Sequence, residues 1–316
     1  MKLLPVKKVA DLDDAGEIGQ AWLVEGIWGD AAVGILGGEP KCCKTILSQE
    51  LAVAIASGRP CLGRFAVHKP GRVLIFAAED AQWMVKQRLT AIAKARGVAI
   101  EDLDIHLITA ERLRLDDEGD IEALDATIAA MKPRLLILDP FVRLHRIDEN
   151  SSAEVARVLD GLRLMQRRHG VAILVVHHAK KNGGGARAGQ ALRGSSEFHA
   201  WGDSMLYMRR RGDELTLTVE QRAAASIPAI PLALAAVGDE LSLQIQAPQP
   251  TPEPATEKAT PAARIERALA ESSPMTLNAL RDACGVRTAT LCDTLKELVA
   301  TGRVERHESG YALAHH

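Results

Sequence analysis

The sequence predicts an α/β fold with a mainly parallel sheet wrapped by helices, followed by a second, small domain. Three observations support this prediction. Short aliphatic runs alternate with helical stretches between residues 31 and 245. Two of these runs, RLLILD and VAILVV, are continuously apolar, which is typical of strands covered on both faces. A proline-rich stretch at residues 246–261 then separates this region from residues 262–316.

Seven segments are predicted as strands of the larger domain. In chain order they are AVGILG, RVLIFAA, DIHLITA, RLLILD, VAILVVH, SMLYMRR and ELTLTVE. Helical segments such as TILSQELAVAIASG and SAEVARVLDGLRLMQRRHG carry apolar residues three and four positions apart, the spacing of one helix face. This alternation of strand and helix predicts strands that run parallel to one another.

A chain of 316 residues is long enough for two domains. We expect an irregular N-terminal lead-in at residues 1–30 and the α/β domain at residues 31–245. A linker at residues 246–261 and a second domain at residues 262–316 complete the predicted organisation. The linker holds five prolines and almost no bulky apolar residue, so it cannot bury a core and is expected to be semi-extended.

The composition excludes several classes of protein. No run of eighteen apolar residues is present and the N-terminus lacks the apolar stretch of a signal peptide, so a cytoplasmic protein without a membrane partner is expected. Five cysteines without a CxxC pair argue against a disulfide framework or a zinc site. Because the net charge is −2 and aromatic residues are only 3%, any nucleic acid must be held by local basic patches.

A phosphate-binding loop is predicted between the first strand and the first long helix. The segment aligns with the pattern GxxxxGKT as Gly38, Glu39, Pro40, Lys41, Cys42, Cys43, Lys44 and Thr45. In such a loop, backbone N–H groups and the positive end of the following helix surround the phosphates. Lys44 would reach the β- and γ-phosphates and Thr45 would offer its hydroxyl to Mg²⁺, which predicts ATP and Mg²⁺ as cofactors. The alternative is a helix N-terminal loop that happens to contain Lys-Thr.

One position departs from this pattern, because Cys43 stands where the pattern has glycine. A side chain at this position can crowd the phosphates or resist the dihedral angles of the loop. The departure therefore bears on efficient hydrolysis more than on nucleotide binding.

Acidic residues follow two later predicted strands. Asp139 ends RLLILD, a position suited to holding Mg²⁺ through water; the alternative is a turn or helix cap. Glu79 and Asp80 end RVLIFAAED. A carboxylate there can orient and deprotonate an attacking water, and Glu79 is the predicted base, while Asp80 is the candidate cap of the next helix.

A histidine pair, His177 and His178, ends the strand VAILVVHH. A polar side chain at the carboxyl end of a strand that faces the same crevice as the phosphate loop can bond the γ-phosphate and report its loss. His178 is the preferred sensor. The alternative is a structural role for both rings.

Taken in order, the segments GGEPKCCKT, FAAED, LLILDPFVRLHRIDENSS, LVVHHAKK, ALRGSS and LTVEQR resemble the RepA-like branch of RecA-type P-loop ATPases. This branch includes plasmid hexameric replicative helicases and AAA-family ATPases of mobile elements, and the resemblance covers roughly residues 20–240. It implies a RecA-like core, a ring homo-oligomer such as a hexamer, ATP bound between subunits, and the roles given above to Glu79, Asp139 and His178.

The same resemblance implies that Arg222 in LTVEQR is an arginine finger acting on the neighbouring subunit's ATP. Where relatives often place a lysine just before this arginine, the chain has Glu220 and Gln221. Arg193 in ALRGSS is the second candidate, and a surface arginine at a strand end is the alternative for Arg222.

A glycine-rich basic stretch, AKKNGGGARAGQALRGSS at residues 179–196, follows the sensor strand and has no acidic residue. By the resemblance, this stretch faces the central channel of a ring and contacts single-stranded DNA. A cationic loop suits sequence-independent binding of phosphates. The candidate contacts are Lys180, Lys181, Arg187 and Arg193, and the alternative is a solvated loop.

The C-terminal region contains three amphipathic helical segments and then GRVERHESGYAL, which predicts a hairpin with Ser-Gly at its turn. This order resembles a winged-helix domain. Its recognition helix would present Arg287, Thr288 and Thr290 to a DNA groove. Residues 262–316 hold seven basic and seven acidic residues, so DNA and protein both stay open as partners.

Two functions from different classes follow. The first is an ATP-hydrolysing ring motor, a helicase-like enzyme acting on DNA in the replication or transfer of a mobile element. The second is a nucleotide-gated switch that binds DNA or a protein partner with little turnover. A purely structural protein with an inactive loop is disfavoured, because Lys44, Thr45, Glu79 and Asp139 occur together.

Overall fold

The computed structural model describes residues 3–11, 22–178, 197–225, 227–246, 260–286, 288–307 and 309–314. The chain divides into two compact units, Met1–Gln246 and Ala247–His316. Each unit has its own hydrophobic core, and each is described by itself below.

Among the described residues, a nine-stranded sheet forms the centre of the larger unit. The strands of this unit, in chain order, are β1 (Trp22–Val24), β2 (Trp28–Gly29), β3 (Val33–Gly38), β4 (Val73–Ala77), β5 (Ile105–Leu107), β6 (Leu135–Asp139), β7 (Ala172–His178), β8 (Ser204–Arg211), β9 (Glu214–Gln221), β10 (Ile230–Val237) and β11 (Glu240–Ile245). Their order in the sheet is β11-β10-β9-β8-β3-β7-β6-β4-β5. The strands from β8 to β5 in this order run parallel, whereas β9, β10 and β11 pair antiparallel. The predicted mainly parallel α/β fold is confirmed.

Helices cover both faces of this sheet. They are α1 (Lys44–Ser57), α2 (Gln82–Ala95), α3 (Glu118–Met131), α4 (Ser152–His169) and the short α5 (Glu197–Trp201). One core cluster joins α1 and α2 to the sheet, and a second cluster joins α3, α4 and α5 to the opposite face. Because side chains alternate along a strand, β7 supplies Leu174 and Val176 to the first cluster and Ile173 and Val175 to the second.

All seven strands predicted from the sequence are present, at β3 to β9. The hairpin of β10 and β11 was missed, since Pro228 and Pro231 interrupt the pattern where β10 begins. The structure also differs at residues 22–29, where an irregular lead-in was expected. There β1 and β2 pair antiparallel, and Trp28 is only 1% exposed, so this segment contributes to the core.

The smaller unit contains three helices and a hairpin. They are α6 (Pro261–Glu271), α7 (Leu277–Cys284), α8 (Thr288–Ala300), β12 (Val304–His307) and β13 (Gly310–Leu313). Thr260 and Thr276 cap α6 and α7 with their side chains. This is the element order predicted for a winged-helix domain.

Two of the predicted contact residues of this unit, Thr288 and Thr290, lie exposed in the first turn of α8. Arg287 lies outside the described residues. Within the ranges described for both units, none of the helices combines the length and the apolar character needed to cross a bilayer.

The contact between β3 and β8 depends on Gly34. A Cβ atom at this position would lie 1.7 Å from the carbonyl oxygen of Ser204 and 3.0 Å from the Trp28 ring. We therefore expect Gly34→Ala to lower the free energy of unfolding by about 3 kcal/mol or more, as overpacking of a core does. Urea denaturation followed by circular dichroism measures the change.

Gly161 in α4 provides the matched control, because a Cβ atom there meets no heavy atom within 4 Å. Gly161→Ala should leave stability unchanged or raise it by about 0.5–1 kcal/mol, since alanine favours a helix over glycine. Equal stability of the two variants would contradict the close pairing of β3 and β8.

Candidate active site

A cleft of about 460 Å³ opens where the parallel strands β3, β4, β6 and β7 reach their carboxyl ends. This is the edge at which open α/β sheets bind their ligands. The cleft is lined by residues from these strand ends and the loop after β3, from α1 and α2, and from β11. They are Lys41, Cys42, Cys43, Lys44, Thr45, Ile46, Ala77, Glu79, Asp80, Arg88, Asp139, Pro140, Val176, His178, Glu240 and Leu241. The predicted loop and the predicted strand-end residues therefore meet at one cleft.

The predicted phosphate loop connects β3 to α1 and begins at Gly38. A Cβ atom at Gly38 would lie 2.4 Å from the carbonyl oxygen of Met208 and 2.6 Å from the thiol of Cys42. Only glycine fits this position, because β8 and the loop itself approach it so closely. The start of the loop therefore packs closely against β8, between the end of β3 and the beginning of α1.

Lys44 is the first residue of α1 and is 6% exposed. Its Nζ donates to the carbonyl oxygens of Gly38 at 2.9 Å and Glu39 at 2.8 Å. Burial lowers the pKa of this amine, and the thiol of Cys42 and the carboxyl of Asp139 act against that shift. The ammonium group is therefore held among oxygen acceptors inside the loop, and phosphate oxygens are acceptors of the same kind.

Cys43 adopts the left-handed conformation, with φ of 66° and ψ of 27°, directly before α1. This is the conformation for which glycine is the usual residue, and a side chain there costs about 1 kcal/mol. The backbone at Cys43 therefore has the conformation expected of glycine, although the residue is a cysteine. The half-buried Cys43 also lines the cleft, so it occupies space at the place where phosphate is expected.

Thr45 and Asp139 form a pair suited to Mg²⁺. Asp139 ends β6, is 8% exposed and accepts a hydrogen bond from the Thr45 side chain. Burial raises the pKa of Asp139 to about 6, and the charges of Asp80 and Glu79 add to the shift, while Lys44 acts against it. Hydroxyl and carboxylate oxygens are ligands that Mg²⁺ prefers.

No group of three or more His, Cys, Asp or Glu side chains placed to hold a metal is found among the described residues. A Mg²⁺ ion at Thr45 and Asp139 would accordingly complete its shell with phosphate and water oxygens, as Mg²⁺ does in nucleotide sites. The residues present fit a nucleotide-bound ion.

Both carboxylates after β4 are paired with arginines that the sequence analysis did not single out. Glu79 Oε1 accepts from Arg143 Nε at 2.8 Å, and Asp80 Oδ2 accepts from Arg88 Nη1 at 2.6 Å. Arg143 follows β6 four residues after Asp139, so its proximity to the end of β4 was open to inference from strand order. The Glu79–Arg143 pair is about half exposed, and such pairs contribute little and exchange readily.

The histidine pair is divided between the two faces of the sheet. His178 lines the cleft together with Val176. His177 is 2% exposed and lies on the opposite face, with its ring 4.4 Å from that of Phe198. Because neighbouring residues of a strand point to opposite faces, only one histidine of the pair lies in the cleft.

Arg222 follows β9, which runs antiparallel to β8, so it lies at the end of the sheet remote from the phosphate loop. Its Nη1 is 3.2 Å from Asp203 Oδ1, its Nη2 donates to the carbonyl oxygen of Ala200, and its side chain is 52% exposed. Asp203 also pairs with Arg163 at 2.5 Å.

The remaining basic candidates, Lys180, Lys181, Arg187 and Arg193, lie outside the described residues.

Two residues that do line the cleft, Glu240 and Leu241, were not predicted because β11 itself was not predicted. The sequence does contain a signal for this strand, since Gly238-Asp239 stands between an apolar run and the alternating ELSLQI.

The AAA domain family AAA_25 matches residues 3–184, more than half of the chain. The chain belongs to this family. Together with the fold, this membership establishes a RecA-like P-loop ATPase domain.

Two solved structures are similar in fold to this AAA domain protein. One is a DnaB-like replicative helicase, solved with its interactions with primase, at 12% identity and a TM-score of 0.52 over 67% of this chain. The other is the RadB recombinase, at 16% identity and a TM-score of 0.50 over 69% of this chain. The match spans 57% of the helicase chain and 92% of the RadB chain. At these identities the likeness shows the fold alone.

Cys43 gives a first test of the loop. Cys43→Gly should raise the free energy of unfolding by up to about 1 kcal/mol, because glycine adopts φ of 66° without strain. It should also tighten binding of Mg·ATP, because the side chain leaves the cleft. Urea denaturation and titration calorimetry measure the two effects.

Cys43→Ala is the control for this test, since alanine removes the thiol and keeps the backbone strain. The stability gain should be absent in Cys43→Ala. A Gly variant no more stable than the Ala variant would show that the dihedral angles of Cys43 carry no cost.

Asp139 gives a second test. Its folded-state pKa of about 6 lies above the ordinary value of 3.8, so keeping it ionised costs folding free energy. That cost is complete above pH 6, shrinks as the pH falls through 6 and vanishes below 3.8. Asp139→Asn should therefore be about 3 kcal/mol more stable than the wild type at pH 8, with a smaller gain at pH 5. Urea denaturation without nucleotide measures both, and a gain independent of pH would contradict the assignment.

Proposed function

We propose that this protein is a Mg²⁺-dependent ATPase that assembles as a ring and acts on DNA, as a helicase-like motor of the RepA-like branch. The observation that carries the proposal is the lining of one cleft by Lys44, Thr45, Glu79, Asp139 and His178. These residues come from α1 and from three separate strand ends, and together they provide groups to bind phosphate, to hold Mg²⁺, to activate water and to contact the γ-phosphate.

Each of these side chains has a definite task in this reaction. Lys44 exchanges the carbonyl oxygens of Gly38 and Glu39 for β- and γ-phosphate oxygens, beside the N–H groups of the loop. Thr45 and Asp139 hold Mg²⁺, directly or through water. When bound, Mg²⁺ neutralises charge that develops on the phosphate oxygens.

Glu79 takes the proton of the attacking water in this proposal, and His178 donates a hydrogen bond to the γ-phosphate. The pairing of Glu79 with Arg143 means that the base must first leave its arginine. Because this pair is exposed to solvent on both sides, separating it costs little free energy.

Ring assembly is supported by the position of Arg222. It lies at the sheet end remote from the cleft of its own chain and is half exposed, so as a finger it acts on the ATP of a neighbouring copy. A hexamer with ATP between subunits is the form that the RepA-like resemblance implies. Arg193 stays the second candidate for the finger.

DNA as the partner is supported by the basic stretch at residues 179–196, which supplies Lys180, Lys181, Arg187 and Arg193 directly after the sensor strand. In this proposal the C-terminal winged-helix unit selects the site of action, with Arg287, Thr288 and Thr290 on its recognition helix. The biological setting would be replication or transfer of a mobile element.

A second candidate is a nucleotide-gated switch that binds DNA or a protein partner and turns ATP over slowly. One observation favours it. Cys43 adds a side chain to the phosphate loop at the position where the pattern has glycine.

The test measures Mg·ATP binding by calorimetry and ATP turnover with and without single-stranded DNA. We expect DNA to stimulate ATP turnover in the wild type.

Lys44→Ala should weaken Mg·ATP binding at least 100-fold, because it removes the buried ammonium group. Glu79→Gln should bind Mg·ATP within about threefold of the wild type and turn it over about 100-fold more slowly, the typical effect of losing a general base.

Glu111→Gln is the matched control, since Glu111 is exposed and does not line the cleft; it should behave as the wild type. Tight binding with negligible turnover in the wild type would favour the switch over the motor. If the folded protein takes up no Mg·ATP at all, both candidates are wrong.

A further inference from the structure

Lys41 is a second lysine of the phosphate loop, and it stands three residues before Lys44. Both lysines line the same cleft. Lys44 is buried and its ammonium group donates to carbonyl oxygens of the loop, whereas Lys41 lies exposed. The two ammonium groups therefore belong to different surroundings, one inside the loop and the other in contact with solvent.

The backbone at Lys41 is left-handed, with φ of 64°. A residue with a Cβ atom is strained in this region, whereas glycine adopts it without strain. Residues other than glycine that are held in such conformations cluster at active sites and ligand-binding loops. A lysine at this position therefore lowers the stability of the free loop relative to glycine, and the reason for its presence has to be sought in its side chain.

The side chain of Lys41 does not offset this strain through contacts within the folded chain. In the part of the chain that the structure describes, its ammonium group makes no hydrogen bond and no ion pair. An exposed lysine without a partner adds nothing to the free energy of unfolding through its charge. A ligand of the cleft is the partner that remains for this ammonium group.

The charges of the cleft lining show what Lys41 adds. Four carboxylates and three lysine or arginine side chains line the cleft. They are Glu79, Asp80, Asp139 and Glu240, and Lys41, Lys44 and Arg88. Arg88 is paired with Asp80 at 2.6 Å, and Lys44 is bonded inside the loop. Among the described residues, Lys41 is thus the lysine of this lining that is left unpaired, while a triphosphate adds further negative charge to the cleft.

The place of Lys41 in the loop suits a contact with phosphate. Successive N–H groups of such a loop surround the phosphates. Lys41 belongs to this loop and lines the cleft, and its flexible four-carbon stem carries three donors at its end. A lysine binds phosphate as a point charge, so the contact needs no fixed geometry. A phosphate chain bound at the loop would therefore lie between an inner and an outer ammonium group.

We propose that Lys41 is a second phosphate-binding cation, whose ammonium group contacts the phosphates of Mg·ATP from the solvent side while Lys44 contacts them from within the loop. The inference rests on the proposed function, because it adds a contact to the same nucleotide. The contact forms only when the nucleotide is bound. The strain at Lys41 is therefore present in the free protein, and the attraction between ammonium and phosphate offsets it in the complex.

The test measures Mg·ATP binding by titration calorimetry in the wild type and in three variants of Lys41. Lys41→Gln and Lys41→Gly remove the charge and should each weaken binding about tenfold, as the loss of a hydrogen bond from a charged group does. Lys41→Arg keeps a cationic donor and should bind Mg·ATP within about threefold of the wild type. Because salt screens exposed charges, the difference between wild type and Lys41→Gln should shrink when NaCl is raised from about 0.05 M to about 0.5 M.

Lys132→Gly is the matched control. Lys132 is also an exposed lysine in left-handed backbone, with φ of 48°, but it follows α3 and does not line the cleft. In urea without nucleotide, Lys41→Gly and Lys132→Gly should both unfold at higher denaturant than the wild type, because glycine relieves the strain. Lys41→Gly alone should combine this higher stability with weaker Mg·ATP binding, a combination that a purely structural lysine does not produce.

Lys41→Gly also serves if Lys41→Gln does not fold, because glycine fits the left-handed backbone. A wild type that binds Mg·ATP no more tightly than folded Lys41→Gln and Lys41→Gly overturns the inference alone. Equal weakening in Lys41→Gln and Lys41→Arg overturns it as well, because the contact would then not depend on charge. A wild type that takes up no Mg·ATP overturns the proposed function, and the inference falls with it.

Discussion

The pairing of β3 with its parallel neighbours β7 and β8 is the constraint on which the site depends. It sets Gly38 beside His178 on one side and beside Met208 on the other. The phosphate loop must start at this point, and β7 ends there with His178, because the two strands run in the same direction. The close approach at Gly34 and Gly38 leaves room for no larger residue, so the backbone geometry of the sheet itself defines the cleft.

Much of this arrangement follows from sequence patterns. Continuous apolar runs identify buried parallel strands, and carboxyl ends of such strands meet at one edge, so the proximity of Glu79, Asp139 and His178 to the loop was predictable. The orientation of His177 away from His178 also follows from strand alternation. These predictions depend only on local periodicity and strand direction.

Other features depend on tertiary contacts that a pattern does not contain. Strand order brings the turn that holds Arg143 close to the end of β4, but it does not tell which side chain there pairs with Glu79. The pairing of Asp80 with Arg88, two turns into α2, likewise leaves no periodic signal. The β10–β11 hairpin begins with prolines, which hid the strands from which Glu240 and Leu241 reach the cleft. The left-handed backbone of Cys43 is likewise imposed by its surroundings against the preference of the residue.

The smaller unit packs its own interior from Ile265, Leu269, Leu280, Leu291, Leu295, Leu298 and Val304. A unit with its own hydrophobic core can in principle fold alone. The interior of the smaller unit is built from its own side chains, so residues 260–314 could be transplanted onto another protein as a folded piece.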